Sequence, residues 1–126
     1  MLSAGDTFLC PIRIEWVDHL WVVVIDPEPS GTTIIVNVTT REPYHTDLAV
    51  VLNVGDHPFI THESILNYGF SLITNVNPIE QAIQGGLGRQ REPCSPQLLA
   101  RIQQGLLSSP FTPIKVETYY RTRQGP

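Results

Sequence analysis

Charge is scarce in this sequence. Only 16% of its 126 residues are Asp, Glu, Lys or Arg, and the formal balance is −4. A dedicated duplex-DNA binder needs a strong basic excess for its phosphate contacts, so the balance argues against that class. It does not exclude a local RNA groove. Cysteine is nearly absent: Cys10 and Cys94 make no disulfide framework, and neither sits in a metal-ligand spacing. His57, His62 and a carboxylate do not complete a zinc ligand set, so no metal and no other cofactor is expected. No apolar run approaches the ~20 residues that span a bilayer. Met1 to Gly5 carries no basic residue and no long apolar stretch follows it, so no signal peptide is read and a cytoplasmic location, away from membranes, is expected. Internal repeats and alternating βαβ units are also missing, which disfavours a Rossmann-like fold.

What is present is apolar. Hydrophobic residues make up 41% of the chain, enough for one core in one domain spanning 1–126. With so little charge, apolar surface should be left over, which favours a homodimer or a stable partner. Strands are predicted over 6–12, 19–25, 32–38 and 48–54, with short ones at 65–68 and 71–76 flanking Gly69. HLWVVVI at 19–25 reads as a central, buried strand containing Trp21. DPEPSG at 26–31 is a turn. Cys10, in an apolar run, reads as a buried thiol.

The chain then changes character. Asn77-Pro78-Ile79-Glu80 is a helix start, stopped by Gly85-Gly86. Ser95-Pro96 starts a second helix, with Leu98, Leu99, Ile102 and Leu106 on one face. The expected division is a β-barrel at 4–76, a helical part at 77–109 and a tail at 110–126, with an apolar-aromatic patch (Val116, Tyr119, Tyr120) and a frayed polar end. The fold class is mainly β (α+β): a small barrel with C-terminal helices.

The order of these pieces resembles the MazF/PemK toxin family. The matching segments are Gly5-Asp6-Thr7-Phe8-Leu9, His19-Leu20-Trp21-Val22-Val23-Val24, Ile34 through Thr40, His62-Glu63-Ser64-Ile65, Gly86-Leu87-Gly88 and the Leu98–Leu107 helix. The resemblance runs over residues 4–109. It implies an SH3-like barrel and a dimeric, metal-independent endoribonuclease cutting single-stranded RNA under the control of an antitoxin. In the family an arginine precedes the second strand and a threonine ends the third. Thr40, or its neighbour Thr39, fills the threonine position. The arginine is absent: His19 stands nearest, and the closest upstream arginine is Arg13.

RNA cleavage without metal needs a base for the 2′-hydroxyl, an acid for the leaving oxygen and a donor for the phosphorane charge. Histidine suits the first two roles, which makes His19, His57 and His62 candidates beside Thr40. If residues 58–62 are extended, His62 shares a face with Pro58 and Ile60. Each also has an ordinary reading: His19 a solvated strand end, His57 part of an Asp56-His57-Pro58 turn, Thr39 and Thr40 plain β-formers. Arg41 adjoins the threonines and is a candidate phosphate ligand, otherwise a solvated loop residue. Trp16, between Glu15 and Asp18, is a candidate stacking platform or a core lid. Arg89 and Arg91 are solvated or line an RNA or antitoxin groove. His45 reads as solvated. Ser64 reads as a turn or cap hydroxyl, because His62-Glu63-Ser64 is sequential and a catalytic triad is spatial. The competing function is a non-catalytic SH3-like interaction module binding a small protein partner, consistent with the missing arginine and the low charge.

Overall fold

Leu20, Trp21, Val22 and Val23 are all buried, which is why this strand is apolar without alternation. It is one of six strands in the computed structural model, which describes residues 1–11 and 19–124. These are β1 (Thr7–Leu9), β2 (Leu20–Val23), β3 (Thr32–Thr40), β4 (Val51–Leu52), β5 (Ser64–Asn75) and β6 (Arg89–Arg91). Helix α1 (Val76–Gln84) lies between β5 and β6 in the chain; α2 (Pro96–Ser108) and α3 (Ile114–Gln124) come after. The strands form one curled, half-barrel sheet in the order β4-β5-β3-β2-β1-β6, with every pairing antiparallel. The fold is therefore α+β.

Each face of the sheet carries its own core. Leu20, Val22, Ile34, Val36, Val38, Leu66 and Tyr68 pack with Leu98, Ile102 and Leu106 of α2 and with Val116 and Tyr120 of α3. Their neighbours in the strands point the other way. Phe8, Trp21, Val23 and Ile35 pack with Val76 and Ile79 of α1 and with Leu2 and Cys10. The side-chain alternation of β2 and β3 thus feeds two layers of helices. Trp21 is core, and Cys10 is buried and outside any disulfide. Burial, helped by the charge of Asp6, pushes the Cys94 thiol up to about 11, so neither cysteine is primed as a nucleophile.

Several predicted boundaries move. The strand expected over 48–54 shrinks to Val51–Leu52. The two short strands around Gly69 are one, β5, whose pairing with β3 is interrupted by a bulge between Ile35 and Asn37. Helix α1 starts earlier than Asn77, because Asn75 is the cap: its Oδ1 accepts from the Asn77 amide at 2.9 Å. The segment 77–109 is not wholly helical. After Gly85-Gly86 the chain reverses and adds β6 to β1, in register Thr7–Arg91 and Leu9–Arg89. Gly88 permits this. A Cβ there would lie 2.9 Å from the Leu9 carbonyl oxygen and 3.3 Å from Cys10 Sγ.

Most of the tail, Ile114–Gln124, is a helix, which the sequence did not signal. Its apolar residues do not form an obvious stripe, but Val116 and Tyr120, one turn apart, reach the core. The Tyr119 hydroxyl donates to the Glu28 carboxylate, and Arg123 Nη2 donates to the Asp26 carbonyl at 2.7 Å. These bonds fasten α3 to the turn between β2 and β3. Among the described residues no helix is long and apolar enough to cross a membrane.

Candidate active site

Antiparallel pairing brings three strand ends together. Leu20 opposes Val38, Val38 opposes Leu66, and Thr40 opposes Ser64. The entry to β2, the exit of β3 and the entry to β5 therefore share one end of the sheet. An open cleft of about 640 Å³ lies there. It is lined by His19 and Leu20 of the β2 entry, Val38, Thr39 and Thr40 of the β3 exit, residues 58–62, and Ser64 of the β5 entry. Arg91, from β6, completes the lining.

The segment 53–63 is built from turns. The Asn53 amide donates to Asp56 Oδ2 at 2.8 Å, and the Asp56 amide donates to the Asn53 carbonyl at 3.0 Å. The Ile60 amide donates to the His57 carbonyl at 2.9 Å. Residues 58–62 are consequently not an extended strand, and strict alternation does not apply. Pro58, Phe59, Ile60, Thr61 and His62 all border the cleft.

His57 does not line it. The ring is 4% exposed, and both nitrogens are engaged by backbone. Nδ1 accepts from the Phe59 amide at 3.0 Å, and Nε2 stands 2.6 Å from the Glu92 carbonyl oxygen. That oxygen is an acceptor only, so the proton sits on Nε2. The same oxygen accepts from Thr7 Oγ1 at 2.7 Å. His57 is thus a staple joining the turn segment to the β1–β6 edge. Replacing it with alanine should lower stability by about 2–3 kcal/mol, because a buried amide loses its acceptor and the ring leaves a void. Denaturant titration should show a lower midpoint at unchanged slope, with any activity retained per folded molecule.

The other candidates separate cleanly. His19, Thr39, Thr40 and His62 share the cleft. Arg41 is not among the lining residues. Its Nη1 is bound to Glu63 Oε1 at 2.9 Å on the surface. Arg13 and Trp16 lie outside the described residues. The Ser64 hydroxyl donates to the His62 carbonyl at 2.8 Å, as a turn hydroxyl does. His45 Nδ1 accepts from the Glu42 amide at 2.8 Å, away from the cleft. No group of three or more His, Cys, Asp or Glu is placed to hold a metal ion among the described residues.

Arg91 is the cleft residue that sequence reasoning left undecided. Its guanidinium carbon lies 5.2 Å from the centre of the Phe59 ring, and its Nε is 3.5 Å from Glu92 Oε1. The Glu92 carboxyl is held below its ordinary range, chiefly by a hydrogen bond from its own backbone amide, which outweighs the opposing desolvation, with Arg91 adding to the lowering. The alternating Arg-Gln-Arg triplet was the available signal, but three residues after two glycines are too short for a strand to be read.

The cleft is therefore lined by two imidazoles, three threonines, one serine and one guanidinium, with no carboxylate in its lining among the described residues. Comparison with protein-family models, with curated proteins and with solved structures yields no match.

Proposed function

We propose that this chain is a metal-independent endoribonuclease acting on single-stranded RNA, a distant relative of the MazF/PemK toxins built on an SH3-like barrel. One observation carries the reading: His19, Thr40 and His62 meet in one open cleft with Arg91. The chemistry needs no other group. His19, in the position the family gives to arginine, takes the proton of the 2′-hydroxyl as that oxygen attacks the adjacent phosphorus. His62 protonates the departing 5′-oxygen. A 2′,3′-cyclic phosphate and a 5′-hydroxyl result. Arg91 and the hydroxyls of Thr39 and Thr40 bind the phosphoryl oxygens as charge builds on them. The same reading implies a homodimer and a cognate antitoxin protein that occupies the site.

Purified protein in EDTA should cleave a mixed-sequence RNA to fragments ending in cyclic phosphate. Intact RNA in the presence of folded, antitoxin-free protein would overturn the proposal.

A second reading, the non-catalytic interaction module, is favoured by a different surface. Phe70, Ile73, Phe111 and Ile114 are large apolar side chains left exposed around the middle of β5 and the start of α3. A groove of about 670 Å³ lies among Gly69–Ile73, Pro113, Lys115 and Val116. Intact RNA combined with recovery of a stable small-protein complex would shift the choice to this module.

A further inference from the structure

Strand β6 closes one edge of the sheet, and its sequence is Arg89-Gln90-Arg91. Its register against β1 sets Arg91 opposite Thr7 and Arg89 opposite Leu9. Thr7 and Leu9 are in turn opposite Val22 and Leu20. Leu20 and Val22 belong to the core on the α2 face. Both arginines therefore stand on that face, and Gln90 stands on the other. Two residues of a strand are separated by about 7 Å, close to one nucleotide step of an extended nucleic-acid strand.

The two arginines differ in placement. Arg91 is half-buried, borders the cleft and lies across Phe59. Arg89 is exposed and is not among the lining residues, but its register through Leu9 to Leu20 sets it at the same end of the sheet as the cleft. Other arginines are committed to partners within the protein: Arg41 to Glu63, Arg101 to Asp56, Arg121 to Glu117, and Arg123 to the Asp26 carbonyl. Arg89 has no ion-pair partner among the described residues. In a chain of net charge −4, an exposed arginine at this end of the sheet, without an ion pair among the described residues, is a local exception.

We infer that β6 is a phosphate rail: Arg91 and Arg89 bind successive backbone phosphates of a single-stranded RNA that leaves the cleft along the sheet edge. This inference rests on the reading of the cleft as an RNA site and adds the direction and extent of the bound strand. Backbone phosphates carry no base identity, so the rail supplies affinity for length and leaves sequence selection to the cleft. The preferred substrate is then an extended strand several nucleotides long rather than a dinucleotide or a duplex.

The test uses 2′-O-methyl RNA, which cannot be cleaved, as a fluorescent trinucleotide and octanucleotide over a range of KCl concentrations. Wild type should bind the octanucleotide the more tightly. Arg89→Gln should weaken the octanucleotide by about tenfold, spare most of the trinucleotide binding and flatten the log–log salt slope by about 0.7, one phosphate contact on a single strand. Arg89→Lys should restore the slope, because a point charge suffices for a phosphate. An Arg89→Gln protein with wild-type affinity and slope would overturn the rail, as would equal losses on both oligonucleotides. The two proposals fail separately. Arg89-dependent binding without cleavage by wild type keeps the rail and removes the nuclease. Cleavage in EDTA with Arg89→Gln binding like wild type does the reverse. Binding of neither oligonucleotide by wild type removes the rail.

Discussion

Replacing Gly105 with alanine should destabilise the protein by about 2 kcal/mol or more, although the same change in an open helix stabilises by about 1 kcal/mol. Gly105 lies inside α2 and is buried. A Cβ at this position would stand 2.5 Å from Val50 Cγ2, and closer still to the Tyr68 hydroxyl. Neither neighbour can retreat easily. Tyr68 is fully buried in β5, and its hydroxyl donates to the Ile102 carbonyl at 2.8 Å. Burial, reinforced by Asp47, pushes that phenol far above its ordinary range, so it remains a neutral donor. Overpacking of this kind costs about 1–3 kcal/mol and sometimes more, which outweighs the helix-propensity gain. Thermal unfolding should show a midpoint lowered by roughly 8 °C. Adding Tyr68→Phe should return part of the loss, a positive coupling in a double-mutant cycle. A more stable Gly105→Ala protein would mean that α2 does not pack this closely on β5.

The second large effect concerns the cleft. His19→Ala and His62→Ala should each reduce RNA cleavage by about 10²–10⁴-fold without lowering the unfolding midpoint appreciably, because neither ring belongs to the buried core. The double variant should lose little beyond the worse single one, since a base and an acid that serve one displacement act as a unit. Single-turnover cleavage of a short labelled RNA in EDTA reads this directly. Losses below about fivefold in both singles would place the acid–base pair elsewhere, far short of what positioned proton transfer contributes. His57→Ala is the contrasting control, with lost stability in place of lost chemistry.

Local rules made the central strands legible. HLWVVVI has the composition of a doubly buried strand, and β2 is one. Ser95-Pro96 reads as a helix start, and Ser95 Oγ does accept from the Leu98 amide at 3.1 Å. Where the reading failed, the deciding interaction was distant in sequence. Strand β6 exists because β1 offers it an edge, and three residues so soon after the Gly85-Gly86 stop do not read locally as a strand. Helix α3 exists because Val116 and Tyr120 find the core and because Tyr119 and Arg123 find the turn after β2. Short-range propensity contains neither fact.

The site follows the same division. His19, Thr39, Thr40 and His62 could be singled out by residue type, and antiparallel register collects them at one end of the sheet. His57 was not separable from them by residue type. Its role was decided by the Glu92 carbonyl and the Phe59 amide, one far along the chain and one in a turn. Arg41 fits its ordinary reading as a surface loop residue: its neighbour in sequence is a threonine, and its partner in space is Glu63.

The strand order has a consequence for the newly made chain. β1, β2 and β3 are successive along the polypeptide and pair with one another, whereas β1 must wait for β6, so that Thr7 can meet Arg91 only after the eighty-odd residues between them have been synthesised. Closing so long a stretch is the entropically slower event and follows the local hairpins. Arg91 reaches the cleft by that closure alone. A ribosome-bound fragment ending before β6 holds His19, Thr40 and His62 but lacks the guanidinium, so the complete lining is assembled late in synthesis.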